Sequence, residues 1–157
     1  MTPENFLMLN YFTQSEVEST GANIKDVKFE LMFRLDNFRH DLGVPVYLLN
    51  NGLTTGKHSS PEHPAGKAVD VYISEVKPVW TVYKCALKNQ FRGFGVYWNG
   101  IAYSYHVDIG TEYRQWTGVP DGKGNWKFGT LIVDPKTLYK RSFYYAKQKD
   151  HSEKSRK

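Results

Sequence analysis

Apolar residues recur at three- and four-residue spacing through NIKDVKFELMFRLDNFRHDLG, residues 23–43, with Val27, Leu31, Leu35, Phe38 and Leu42 on one side and charges between them. This spacing predicts an amphipathic helix, with Asn23 capping its start and Gly43 its end. Two stretches have strand character instead. VPVYLL, 44–49, is a short apolar run. KAVDVYI, 67–73, alternates, so Ala68, Asp70 and Tyr72 share one face while Val69, Val71 and Ile73 share the other. VKPVWTVYKCALKN, 76–89, reads as a second helix with Pro78 in its first turn. In GFGVYWNGIAYSYHVDIG, 93–110, Asn99-Gly100 separates two aromatic, β-rich runs and predicts a hairpin. A second hairpin is expected around DGKGN, 121–125, joining Trp116 to WKFGTLIV.

The flanks give weaker patterns. NFLMLNYF, 5–12, suits a strand or an extended arm packed on the core; SEVES, 15–19, suits a short helical turn; LYKRSFYYAKQ, 138–148, suits a terminal helix. Residues 50–66 are dense in Gly, Pro, Ser, Thr and Asn and predict a long loop, a length usually tied to function or disorder. No repeat or internal linker is visible. The order of elements predicts an α+β fold: a small antiparallel sheet with helices packed on one side. Residues 1–146 form one domain in this reading, and 147–157 a basic, disordered tail.

Composition sharpens the picture in a few places. A chain of 157 residues with 40% hydrophobic and 24% charged residues can build one core of ordinary size. The net charge of +5 favours an anionic surface such as nucleic acid, anionic lipid or a cell-wall polymer. Part of that excess lies in the tail, and a nucleic-acid partner rests on charge and aromatics alone, so nucleic acid is not the expected partner. Cys85 is the sole cysteine, which rules out an internal disulfide and a thiolate zinc cluster; it is expected to be a small buried hydrophobe. No run of ~18 apolar residues is present, so no membrane span is expected. The first residues, MTPENFLMLNYF, lack the basic start and long apolar run of a secretory signal.

The candidate chemistry is concentrated in histidine and aspartate. His63 lies at the loop-to-strand entry, Asp70 on the following strand, and His106 and Asp108 two apart on the second strand of the predicted hairpin, hence on one face. Two imidazoles and a carboxylate with an open position make a common catalytic zinc arrangement. The same residue types also form plain hydrogen bonds, and spacing alone leaves both readings open. His40 and His151 match nothing and read as solvated; His58 reads as an exposed loop residue near the mouth of the site.

HPAGKAVD, 63–70, resembles the H-x-x-G-x-A-x-D signature of the zinc D-alanyl-D-alanine carboxypeptidase family, which includes phage endolysins and is structurally akin to Hedgehog and lysostaphin-type domains. GFGVYWNGIAYSYHVDIG resembles the G-x-G-x-Y…H-x-D-x-G segment of one branch of it, with Trp116 where that branch often has a tryptophan; the resemblance covers about residues 10–117. It implies zinc held by His63, Asp70 and His106, and hydrolysis of peptide bonds in bacterial peptidoglycan, with zinc activating a water and an acidic residue carrying its proton.

The chain departs from the family pattern in three places. The carboxylate base that many members place three residues before the last zinc histidine is Tyr103 here. Asp108 is then the nearest acid, either as the base or as a partner orienting a ligand, and exchanged roles for His106 and Asp108 stay open. The arginine that grips a substrate carboxylate in many members is missing from NNGLTTGKH, where Lys57 is the substitute candidate. The serine usual two residues before the first histidine is Pro61. Tyr97, Trp98, Tyr103 and Tyr105 are expected to flank the metal together with loop 50–66, with Tyr97 contacting substrate and with Tyr103 and Tyr105 assigned to opposite faces. The resulting expectation is a zinc peptidase acting on peptidoglycan peptides. It would be a phage or prophage lysin held in the host cytoplasm before lysis, or a virion-associated enzyme among phage tail proteins. The alternative is a non-catalytic structural or binding module that keeps the fold.

Overall fold

The structure, a computed structural model, describes residues 1–55, 58, 60–75, 77–99, 102–121 and 125–132. Its centre is a six-stranded sheet built from β1 (Val46–Leu48), β2 (Ala68–Ile73), β3 (Gly93–Trp98), β4 (Tyr103–Asp108), β5 (Arg114–Pro120) and β6 (Trp126–Gly129), in the order β1-β2-β4-β3-β5-β6. The helices are α1 (Gln14–Ser19), α2 (Phe29–Leu42) and α3 (Val79–Lys88). The fold is α+β, as expected. The sheet is mixed, because β3 pairs with β5 in parallel while the other four pairings are antiparallel.

Strand alternation gives the sheet two unlike faces. Val69, Val71, Phe94, Val96, Tyr105 and Val107 turn to one side and are buried, together with the apolar stripe of α2, in a single core. On α2 this stripe is Leu31, Met32, Leu35, Phe38 and Leu42, and Phe38 meets Phe91 edge-on at 5.9 Å between ring centres. Gly43 ends the helix in the left-handed region, φ 67°, which glycine adopts without a Cβ clash. The opposite face of the sheet carries Asp70, His106, Asp108, Tyr97, Trp116 and Arg114, and it holds the candidate site.

Several local expectations change. The helix read over 23–43 divides into a 3-10 turn at Ile24–Asp26, capped by the Asn23 side chain, and α2 proper from Phe29. Val27 is buried between the two. Pro78 sits at the cap of α3 and not inside its first turn. The segment 5–12 is not a strand: Pro3–Met8 is a 3-10 helix with Leu7 exposed. The arm is pinned beyond it by Asp36, a buried carboxylate on α2 that accepts from the backbone N–H groups of Asn10 and Tyr11. Cys85 is half-buried, with its thiol directed at the Phe38 carbonyl, and burial pushes its pKa up to about 11. The turn residue Gly100, the predicted terminal helix and the basic tail lie outside the described residues. Among the described residues no helix is long and apolar enough to cross a membrane.

Candidate metal centre

The sheet register puts the polar residues into two adjacent rows on one face. In the first, Asp70 pairs with His106, His106 with Gly95, and Gly95 with Trp116. In the second, Ala68 pairs with Asp108, Asp108 with Gly93, and Gly93 with Arg114. Each row crosses β3 at a glycine, and each glycine is required by what lies over it. A Cβ on Gly95 would sit 2.5 Å from the Trp116 indole, and one on Gly93 would overlap the Asp108 carboxylate. The G-x-G of the sequence is therefore the floor on which Trp116 and Asp108 lie.

His63 enters from the loop above this face. Gly66 turns the loop at φ +69° into β2, so close to Asp26 that a side chain there would overlap the Asp26 carbonyl. The Lys28 N–H donates to the Gly66 carbonyl, and His63 is buried.

Three donor atoms converge. His106 Nδ1 lies 2.9 Å from Asp70 Oδ1 and 3.1 Å from His63 Nε2, and His63 Nε2 lies 3.5 Å from Asp70 Oδ1. Ligands at ~2.05 Å from a tetrahedral zinc are separated by about 3.3 Å, so the three atoms already stand at the edges of such a ligand set. The remaining ring nitrogens are held from behind. His63 Nδ1 is 2.7 Å from the Leu53 carbonyl, which only a donated proton satisfies, leaving the Nε2 lone pair directed inward. His106 Nε2 is 3.1 Å from Asp108 Oδ2; with a proton held there, Nδ1 faces Asp70 and His63 and, once deprotonated, presents its lone pair to them. This tautomer control by outer partners is the usual support of a histidine ligand.

His58 is a residue the sequence reading set aside as exposed; the structure half-buries it, with 13% of its side chain exposed. It stacks on His63 with 3.6 Å between ring centres and 12° between planes, and its Nδ1 is 3.7 Å from Asp70 Oδ2. The ligand atoms of His58, His63 and Asp70 all lie within 4.8 Å of one another, a group that could hold a metal ion. Parallel stacked rings, however, keep their in-plane lone pairs in separate planes, so His58 and His63 cannot both aim at one ion in this arrangement. His106, whose ring is tilted 66° from His63, can. His106 thus joins His63 and Asp70 in the cluster, with His58 above them, its Nε2 held by the Asn51 and Thr55 carbonyls. The only sequence signal for His58 was its place in the long loop.

Asp108 is fully buried and lies behind His106, touching the nitrogen that points away from Asp70. Its other oxygen accepts from the Gly110 N–H, and Arg114 donates to Oδ2 at 3.3 Å. Burial pushes its pKa up, but the contacts from His106, Gly110 and Arg114 outweigh that and hold it below the ordinary value. Asp70 behaves alike: burial raises its pKa, and His106 and His63 more than reverse this. Of the two roles left open for Asp108, its position fits that of the orienting partner.

The tyrosines divide. Tyr97 is on the site face; its hydroxyl accepts from Trp116 Nε1 at 3.1 Å, and burial pushes its pKa up to about 12. Tyr103 and Tyr105 share the opposite face, stacked at 6.4 Å, as a spacing of two in a regular strand requires; their assignment to opposite faces is corrected. With Trp98 at 4.5 Å from Tyr103, they pack on the core side and do not flank the site. Lys57 lies outside the described residues. A cavity of about 240 Å³, lined by Ser60, Pro61, Arg114, Trp116 and Phe128, opens beside the centre, with Trp116 5.0 Å from the His106 ring. Comparisons of the chain with protein-family models, curated proteins and solved structures returned no match.

Proposed function

We propose that the chain is a zinc-dependent peptidase acting on peptide bonds of bacterial peptidoglycan, in the setting of phage-mediated lysis or a phage tail. The single observation that carries the metal part is the convergence of His63 Nε2, Asp70 Oδ1 and His106 Nδ1, each imidazole fixed from behind by a carbonyl or a carboxylate. Two nitrogens and one oxygen are a ligand set that suits zinc. The substrate part rests on the resemblance of HPAGKAVD and the H-x-D strand to cell-wall peptidases. When bound, zinc supplies Lewis acidity, lowering the pKa of a water and polarising a carbonyl.

The chain's own residues do the rest. Asp108 keeps His106 in the ligating tautomer. Tyr97, protonated at neutral pH and accepting only from Trp116 among the described residues, has its own proton to donate to a developing oxyanion. The cavity beside Trp116 and Phe128 offers apolar walls for a substrate side chain or backbone.

A second reading, a non-catalytic module that keeps the fold, has one observation in its favour. Tyr103 faces the core and Asp108 lies behind His106, so neither family position puts a carboxylate on the open side. One experiment separates the two. The full chain is loaded with zinc and its metal content measured, then incubated with purified peptidoglycan while new amino groups and released peptides are followed. Roughly one zinc per chain, with cleavage abolished by a chelator and by His63→Ala, is expected. Zinc without cleavage selects the non-catalytic module, and absence of zinc overturns the site.

A further inference from the structure

Arg114 stands at the end of the row Asp108–Gly93–Arg114, and the missing side chain at Gly93 lets it reach across β3. Its Nη2 is 3.3 Å from Asp108 Oδ2 and 3.6 Å from Glu62 Oε1. These two carboxylates belong to different parts of the centre. Asp108 touches the back of His106, and Glu62 is the residue before His63, its side chain only 16% exposed. Arg114 Nε is buried without a partner among the described residues, an arrangement that costs free energy and that the two carboxylates offset.

We propose that Arg114 is a positioning residue that braces the metal centre, tying the loop that carries His63 to the strand that carries His106 through Glu62 and Asp108. The inference rests on the metal site proposed above and assigns Arg114 no contact with the metal; its place in the wall of the neighbouring cavity is why the test reads metal binding and not hydrolysis. A guanidinium suits this task because its planar fork presents several donors in fixed directions and stays charged, which a lysine ammonium does not reproduce. Apart from the contacts of the ligand side chains themselves, the two carriers are joined through the backbone: β4 through the sheet, and the His63 loop through its turn onto β2.

The test uses the full chain, stripped of metal and titrated with cobalt(II), whose visible absorption reports both affinity and coordination geometry. Arg114→Met is expected to weaken cobalt binding roughly 10-fold, the low end of the effect of losing a direct partner of a metal ligand, because Arg114 acts one contact further out through Asp108 and Glu62, and to shift the absorption bands. Arg114→Lys should recover part of the affinity. Glu62→Gln alone should weaken binding, and its effect should shrink in the Arg114→Met background, because the two residues act through one contact. Unchanged cobalt affinity and spectrum in Arg114→Met overturns the brace while leaving the metal site standing. If Arg114→Met fails to fold, Glu62→Gln decides: wild-type affinity and spectrum there overturn the proposal. A wild-type chain that binds no cobalt overturns the metal site itself.

Discussion

Tyr97 shows how much a single residue's surroundings decide. It sits on β3 one residue from the core-facing Val96, and alternation turns it to the metal face. Trp116 Nε1 donates to its hydroxyl, and its ring packs edge-on against Trp126 at 5.1 Å and Phe128 at 6.2 Å. Replacing it by phenylalanine keeps the ring and leaves the Trp116 N–H without its acceptor. Tyr97→Phe is therefore expected to lower stability by about 1 kcal/mol and, if the hydroxyl stabilises an oxyanion, to reduce peptidoglycan hydrolysis by roughly 100-fold with zinc content unchanged. Thermal unfolding and the release assay read the two effects separately. Unchanged hydrolysis would leave Tyr97 with packing alone. At this scale the sequence was informative where residues sit in a regular strand, since the phase of Asp70, His106, Asp108 and Tyr97 follows from alternation. It was silent on His58, whose position depends on a loop, and on which nitrogen of His106 faces Asp70 and His63, which depends on the Asp108 contact.

At the scale of elements, the strands and both long helices were legible because each carries its own period. Their partners were not. Nothing local in TEYRQWTGVP says that β5 lies parallel to β3, yet that pairing brings Arg114 and Trp116 to the centre. The N-terminal arm misled for a related reason: its apolar run satisfies a strand pattern, but Pro3 and the reciprocal hydrogen bonding of Thr2 and Asn5 start a 3-10 turn instead. The two glycines of β3 were visible as a motif, and their reason appears only in the sheet, where Asp108 and Trp116 lie over them. Gly93→Ala tests this. The added methyl must displace the buried Asp108 carboxylate, so overpacking should cost about 1–3 kcal/mol, and zinc affinity should fall because His106 loses its orienting acceptor. Equilibrium unfolding of the metal-free chain measures the first and competition with a chelator the second. Wild-type values in both would show that Asp108 has room to spare.

For the whole molecule, the centre is a cluster of ionisable groups buried on one face of the sheet, so stability without metal should depend on pH in a defined way. In the metal-free chain, burial lowers the His106 pKa, but the hydrogen bonds and charges of Asp108 and Asp70 more than reverse this and raise it above 6.5. A raised histidine pKa contributes stability that is complete below the unfolded value and is lost as pH climbs through the folded one. Asp70 and Asp108 are held below 3.8, so their contribution is complete above that value and is lost as pH falls through their folded pKa values. The cluster therefore stabilises the metal-free fold most between about pH 4 and 6.5, and the thermal midpoint should decline on both sides. Metal ligation needs His106 unprotonated at Nδ1, so metal competes with the proton and binds more tightly as pH rises. The gap between the zinc-loaded and metal-free midpoints should then widen from about pH 5 to about pH 8. Differential scanning fluorimetry of both forms across that range, with His106→Gln as the control expected to lack the decline above 6.5, measures it. A metal-free midpoint that keeps rising through pH 8 would mean that the Asp70–His106–Asp108 cluster does not hold its proton in the folded chain.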